Sequence, residues 1–118
     1  MALAVGCLVL VFWLTQPLVD RAQEFLGLLG QGKVHEAYET SAQEFKEVTS
    51  EEEFTQFIQR VGLDEPSTAS WSSREIDNDR GELSGTVTNA RGDKLPTTVF
   101  LLHLQGGWKV AGIHVGSE

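Results

Sequence analysis

The hydrophobic period of this sequence changes once, after the segment LDEPSTAS at residues 63–70. Before that segment, apolar residues recur every three or four positions, which is the spacing of amphipathic helices. After it, apolar and polar residues tend to alternate, which is the spacing of β-strands. A run of helices followed by a run of strands predicts an α+β domain rather than alternating βαβ units.

Three helices are predicted in the first half of the domain. The first begins at Pro17 and ends near Gly30 and Gly32, the second covers residues 33–41, and the third covers residues 49–62. Pro17 suits the first turn of a helix because its missing N–H would have no partner there. Ser50 and Glu53 fit a capping box at the start of the third helix. The predicted buried stripe of the first helix consists of Leu18, Ala22, Phe25 and Leu29.

Four strands are predicted in the second half, at residues 70–78, 81–89, 96–104 and 108–115. The connections between them are short and turn-like, which favours hairpins between successive strands. The predicted fold class is therefore α+β, with three N-terminal helices packed on a curled four-stranded antiparallel meander sheet, preceded by a hydrophobic N-terminal helix.

The first 16 residues are predicted to be a membrane segment. No charged side chain precedes Asp20. A membrane span needs about 17–25 residues, and the apolar stretch reaches that length only when it is counted to Val19. We interpret residues 1–16 as an uncleaved signal anchor and residues 17–118 as the domain; a cleaved signal peptide and a core helix are the alternatives. The layout predicts a membrane-anchored protein whose domain faces the periplasm or the extracellular side.

Composition excludes several classes of function. The net charge is −8, which argues against nucleic acid as a partner because such binding depends on Lys and Arg contacts to phosphates. The chain has one cysteine, Cys7, which excludes an intrachain disulfide and a cysteine-rich zinc site. No metal and no cofactor are predicted.

The histidines at 103 and 114 flank the Gly-Gly of the last predicted hairpin. If Gly106 and Gly107 form a two-residue turn, both histidines lie on one face, about 13 Å apart along the ladder. If residues 105–107 form a three-residue loop, the register slips and the histidines lie on opposite faces. Neither register brings them together. His103, His114 and Trp108 remain separate ligand candidates, and His35 is predicted to face solvent.

The two-residue register also assigns the faces of this hairpin. One face would pack against the helices; it carries Phe100, Leu102, Leu104, Ala111, Ile113 and Val115. The other face would be unusually apolar for solvent exposure; it carries Val99, Leu101, His103, Trp108 and Val110. This second set is predicted to be a partner-binding or dimer face.

Two motifs resemble those of the nuclear transport factor two-like superfamily, which has a cystatin-like α+β cone. They are FLxxLxxGxxxxAY at residues 25–38 and GxWKVxGI at residues 106–113. The sequence is most similar to small membrane-anchored, extracytoplasmic members of uncharacterised function. The resemblance covers residues 17–115 and implies helices wrapped on a bent sheet, often dimeric through that sheet. The superfamily that the sequence resembles includes isomerase-like and dehydratase-like enzymes as well as binding and assembly modules, so the resemblance implies either kind of function.

The enzymes of that superfamily need a carboxylate base in an apolar cone and a donor for the oxyanion. The one tyrosine, Tyr38, lies in the AY motif and is predicted to pack in the core, and the last two strands carry no acidic residue. No catalytic residue is assigned. The sequence favours a membrane-anchored, non-catalytic binding or assembly module, with a homodimer or an envelope protein as partner. The alternatives are a small-molecule binder or isomerase/dehydratase-like protein using the cone, and a subunit or periplasmic piece of a larger polypeptide.

Overall fold

The computed structural model describes residues 2–104 and 107–116, with side chains from Gln16 onward. The helices are α1 (Ala2–Gly30), α2 (Val34–Thr40), α3 (Gln43–Val48) and α4 (Glu51–Val61), and the strands are β1 (Thr68–Asp77), β2 (Arg80–Thr88), β3 (Lys94–Leu104) and β4 (Gly107–Val115). The strands form one antiparallel sheet in the order β1-β2-β3-β4. The predicted α+β meander is therefore confirmed.

The first helix differs from its prediction at its start. Pro17 lies inside α1, which continues without a break from Ala2 to Gly30. The predicted helix start at Pro17 is thus wrong, because the proline is accommodated inside a continuous helix. The predicted buried stripe is confirmed: Leu18, Ala22, Phe25 and Leu29 are at most 2% exposed.

The membrane interpretation of residues 1–16 falls almost entirely on side chains that lie outside the described residues. Among the residues that are described, no helix is both long enough and apolar enough to cross a membrane.

The C-terminal end of α1 is capped by the backbone. Gly32 adopts a positive φ of 79°, and the N–H groups of Gly32 and Lys33 donate to Leu29 O and Leu28 O. This is a Schellman cap, the ending predicted by the glycines.

The third helix in chain order, α3, was not predicted. It has six residues, and its N-cap residue Ala42 provides no side-chain cap. The sequence therefore shows neither a capping residue nor an apolar stripe long enough to indicate a helix. Tertiary contacts hold it instead. The Ala42 N–H donates to Val110 O at 2.7 Å, and Phe45 is 7% exposed in the core.

The fourth helix begins as predicted. The Ser50 side chain accepts a hydrogen bond from the Glu53 N–H, and the Glu53 carboxylate accepts one from the Ser50 N–H. These hydrogen bonds from Ser50 lower the pKa of the Glu53 carboxyl group below its usual value. The capping box therefore fixes the first turn of α4.

Four aromatic rings form the centre of the core. Phe54 lies 5.9 Å from Phe25, 5.8 Å from Tyr38 and 5.4 Å from Phe45, measured between ring centroids. Tyr38 is 7% exposed, and its hydroxyl donates to Thr49 O at 2.6 Å. The predicted packing role of Tyr38 is confirmed.

The last hairpin pairs differently from the favoured prediction. Next to the turn Leu104 pairs with Gly107 and His103 pairs with Trp108; the register then shifts by one residue between Phe100 and Leu101, so that Thr98 pairs with His114. The shift leaves Ala111 as the extra residue of a β-bulge on β4. The two histidines therefore lie on opposite faces of the sheet, as the alternative register predicted.

The assignment of faces on β3 was wrong. We call the side of the sheet that packs against the helices the inner face and the opposite side the outer face. The inner face carries Val99 and Leu101, which are 0% and 1% exposed, whereas Phe100 on the outer face is 42% exposed. Both alternating sets of β3 are apolar, so the period of two could not decide which set the helices cover. Ile113 and Val115 do pack against the core, as predicted.

Candidate functional site

The most exposed apolar surface of the sheet lies on its outer face. Four residues, which we call the outer patch, form it: Phe100, Leu102, Leu104 and Ala111. Phe100 is 42% exposed, and the other three side chains are half-buried. They line a shallow cavity of about 350 Å³ together with Glu44, Asp79 and Arg80. Such a concave apolar surface is suited to a hydrophobic contact.

The sheet register positions the outer patch. Phe100 lies between Glu82 on β2 and Gly112 on β4, which are its direct cross-strand partners. Gly112 has no side chain, and a Cβ built there would lie 3.6 Å from the Phe100 ring. The ring therefore spreads over the glycine rather than standing against a neighbouring side chain. This arrangement makes Phe100 accessible from outside the sheet.

Charged residues of both signs surround the outer patch. Leu102 pairs with Arg80 on one side and with Lys109 on the other. Glu82 lies next to Phe100, and Glu44 of α3 reaches the same cavity. The patch thus has an apolar centre and a polar rim, which is the usual anatomy of a protein–protein contact.

Three of the residues predicted to form the partner-binding or dimer face are buried. Val99, Leu101 and Val110 are 0%, 1% and 2% exposed and belong to the core under the helices. The prediction that they form an exposed partner face is wrong. The apolar residues that the structure leaves uncovered, Phe100, Leu102, Leu104 and Ala111, belong to the set that was predicted to face the helices.

His103 and Trp108 are brought together. They are cross-strand partners, and their ring centroids are 4.9 Å apart. They line a groove of about 400 Å³ against α1, together with Pro17, Asp20, Arg21, Glu24 and Gly107. The third ligand candidate, His114, is exposed next to Thr98 on the outer face, so it cannot share that groove.

A further cluster was missed by the sequence analysis. His35 is exposed, as predicted, but its Nδ1 lies 2.8 Å from Oε2 of Glu51. Glu39 lies one turn after His35 on α2, and its carboxylate is part of the same group. The i, i+4 spacing of His35 and Glu39 is a visible signal. Glu51 could be added only once the packing of α2 against α4 was known.

Comparisons with known proteins rest on structure alone: no family model and no curated protein sequence matches the chain. An NTF-2 like protein of unknown function from Shewanella oneidensis superposes with a TM-score of 0.63 at 10% identity, covering 87% of this chain and 98% of that one. A protein from Xanthomonas campestris, whose name includes the words "calcium/calmodulin dependent protein kinase II association domain", gives a TM-score of 0.57 at 15% identity over 86% and 85% of the two chains.

A phospholipid-binding protein from Ralstonia solanacearum, solved in complex with a phospholipid, is also similar. Its TM-score is 0.53 at 12% identity, over 86% of this chain and 76% of that one. Identities this low establish the fold and leave function open. The two motifs at residues 25–38 and 106–113 predicted the same architecture. The chain has the fold of the nuclear transport factor two-like superfamily.

Proposed function

We propose that this protein is a membrane-anchored, non-catalytic assembly module on the extracytoplasmic side, and that it self-associates through the outer patch. The observation that carries the proposal is the position of Phe100. A large aromatic side chain that is 42% exposed, beside two half-buried leucines and a shallow cavity, is the composition of an interface centre.

The interior of the cone supports an assembly role over a substrate-binding role. Its centre is occupied by the rings of Phe25, Tyr38, Phe45 and Phe54, with neighbouring centroids 5.4 to 6.1 Å apart. The hydroxyl of Tyr38 is engaged by the backbone of Thr49. Rings packed this closely fill the space between the helices, so a partner would meet apolar side chains at the surface, as at the outer patch.

A second copy of the chain is the occupant to which we commit. The net charge of −8 makes two copies repel each other at long range, so a stable contact needs local complementarity. The rim of the outer patch can supply it, because it carries both signs: Arg80 and Lys109 flank Leu102, Glu82 lies beside Phe100 and Glu44 lines the cavity. The similar protein from Xanthomonas campestris, with "association domain" in its name, is consistent with this role.

The anchor rests on the apolar stretch before Asp20. Because α1 continues from Ala2 through the buried Leu18 to Gly30, an anchor there would join the domain without a flexible linker. Two separate samples test this part: alkaline extraction of membranes that contain the full chain, and protease treatment of intact cells or vesicles from outside. We expect the chain to stay in the membrane fraction with its domain accessible; release into the supernatant would contradict the anchor.

Native mass spectrometry of the full chain in detergent tests self-association. We expect a dimer for the unmodified chain and at least about tenfold weaker association for Phe100→Glu, because two like charges would meet across the two-fold axis. Val48→Glu is the matched control, since Val48 is a large apolar residue that is 80% exposed on α3 but lies outside the outer patch. A monomeric unmodified chain, or equal effects of the two variants, would overturn the proposal.

A second candidate function is small-molecule binding in the groove beside His103 and Trp108. The observation that favours it is the groove itself, about 400 Å³ in volume, with the adjacent rings of His103 and Trp108 on one wall and Arg21 on the other. A similar structure from Ralstonia solanacearum holds a phospholipid. Titration with a short-chain phospholipid below its micellar concentration, followed by NMR, tests it. Saturable shifts at His103 that disappear in Trp108→Ala would support this function, and their absence would exclude it.

A further inference from the structure

A three-residue cluster on the helical layer has the chemistry of a metal site. His35 and Glu39 lie one turn apart on α2, and Glu51 lies in the first turn of α4. One ligand atom from each, an imidazole nitrogen and two carboxylate oxygens, can be chosen so that all three lie within 4.8 Å of one another. The cluster is separate from the outer patch and from the groove at His103.

Two sets of contacts hold the ligand-bearing segments in place. The Tyr38 hydroxyl donates to Thr49 O at 2.6 Å, which ties α2 to the residue before the N-cap of α4. The capping box of Ser50 and Glu53 fixes the first turn of α4, and Thr55 Oγ1 donates to Glu51 O at 2.8 Å. The backbones that carry the three side chains are therefore held in place relative to one another.

We propose that His35, Glu39 and Glu51 bind a divalent transition metal of the zinc class. A neutral imidazole and two carboxylates balance a charge of +2, and a nitrogen ligand selects such metals over Mg²⁺ and Ca²⁺, which prefer oxygen ligands alone. Three protein ligands leave a fourth position of the tetrahedron for water.

The distances allow the metal to enter with small side-chain movements. Zinc lies about 2.0–2.2 Å from nitrogen and oxygen ligands, which places tetrahedral ligand atoms about 3.3–3.5 Å apart. His35 Nδ1 and Glu51 Oε2 are now 2.8 Å apart, so this pair must open by about half an ångström to admit the ion. The side chains of His35 and Glu51 are 67% and 42% exposed, so no packing resists that movement.

The simpler interpretation is an ion pair between α2 and α4. A His35–Glu51 pair would need neither Glu39 nor a divalent ion. Glu39 therefore distinguishes the two interpretations. Glu36, which is also on α2 but is not part of the three-residue group, provides the matched control.

Isothermal titration calorimetry with Zn²⁺ tests the proposal, using the full chain without a histidine tag after removal of metals by chelation. We expect one equivalent of Zn²⁺ to bind, with no saturable binding of Mg²⁺. Glu39→Gln and His35→Ala should each weaken Zn²⁺ binding at least about tenfold, as loss of a ligand should cost no less than loss of an outer-shell partner. Glu36→Gln should retain the affinity within about twofold, because Glu36 holds no ligand position.

Proton NMR spectra of each variant establish that it is folded. Absence of saturable Zn²⁺ binding to the unmodified chain would overturn the proposal. Equal affinities of Glu39→Gln and Glu36→Gln would also overturn it, because the ion would then be held without the third ligand. The dimer experiment at Phe100 is independent of either result.

Discussion

The inner and outer faces of β3 carry similar side chains but have different surroundings. Val99 and Leu101 on the inner face are 0% and 1% exposed, whereas Phe100 between them is 42% exposed. All three are apolar, so hydrophobicity does not explain the difference. The helices cover one face, and the other is left with more apolar surface than a solvent-facing strand requires. Burial here is set by the layer that packs on the sheet, and the uncovered face is where a function is to be sought.

The largest effect is expected from truncating neighbouring leucines on the two faces. Leu101→Ala should reduce the free energy of unfolding by about 2–5 kcal/mol, because it leaves a cavity under the helices. Leu102→Ala should cost less than about 1 kcal/mol in the monomer, because its side chain already lies at the surface. Urea unfolding of the two variants under monomeric conditions measures the difference. Equal losses would show that the two faces are not distinguished as described.

A smaller effect is expected from adding a methyl group to a glycine on each face. A Cβ at Gly85 on the inner face would overlap the carbonyl oxygen of Ser70 and lie 2.8 Å from Trp71 Cα. Gly85→Ala should therefore cost about 1–3 kcal/mol. A Cβ at Gly112 on the outer face would be in ordinary contact, 3.6 Å from the Phe100 ring.

Gly112→Ala is the control for that experiment. It should be neutral or should stabilise the monomer by about 0.4–1 kcal/mol, through the reduced freedom of the unfolded chain. Thermal unfolding of both variants measures the contrast. A Gly85→Ala variant as stable as the unmodified chain would mean that β1 and β2 do not approach each other as closely as the register indicates.

The smallest effect is expected away from both faces, at His35. The pKa of His35 is raised above 6.5, mainly by its hydrogen bond to Glu51 and secondly by the negative charge of that carboxylate. A raised folded-state pKa stabilises the fold below the unfolded pKa, and that contribution disappears as the pH rises through the folded pKa. Because both side chains are exposed, the change in stability should be small.

An NMR titration of the His35 ring in the presence of a chelator measures the pKa directly. Glu51→Gln should move the pKa of His35 back toward its ordinary value. Thr55→Ala, which removes a hydroxyl contact within α4 and leaves the carboxylate in place, serves as the control. A pKa of His35 that is unchanged in Glu51→Gln would show that the contact between α2 and α4 does not form in solution.

The sequence predicted the element order well where a signal is local. The four strands, the stripe of α1 and the capping box at Ser50 each depend on a few neighbouring residues. Helix α3 was missed because it is short and held by contacts from β4, such as the hydrogen bond to Val110 O. Continuation of α1 through Pro17 was missed because proline is common in the first turn of a helix and disfavoured in its interior.

The faces of β3 follow from those of β2 only once the pairing of the two strands is known. On β2 the apolar residues are Leu83 and Val87, and the alternate positions 82, 84, 86 and 88 are polar, so its inner face is unambiguous. Leu83 pairs with Val99, which places Val99 on the inner face as well. The register of the last hairpin could not be predicted either, because the bulge at Ala111 has no distinct local signal.

The most direct test of the central claim is an isotope-filtered NOE experiment on a one-to-one mixture of labelled and unlabelled full chain in detergent micelles. It detects only contacts between copies. We predict contacts between the methyl groups of Leu102 and Leu104 in one copy and the Phe100 ring of the other. Contacts between copies that involve other surfaces, with none from the outer patch, would contradict the account. Absence of any contact between copies at concentrations well above one millimolar would also contradict it.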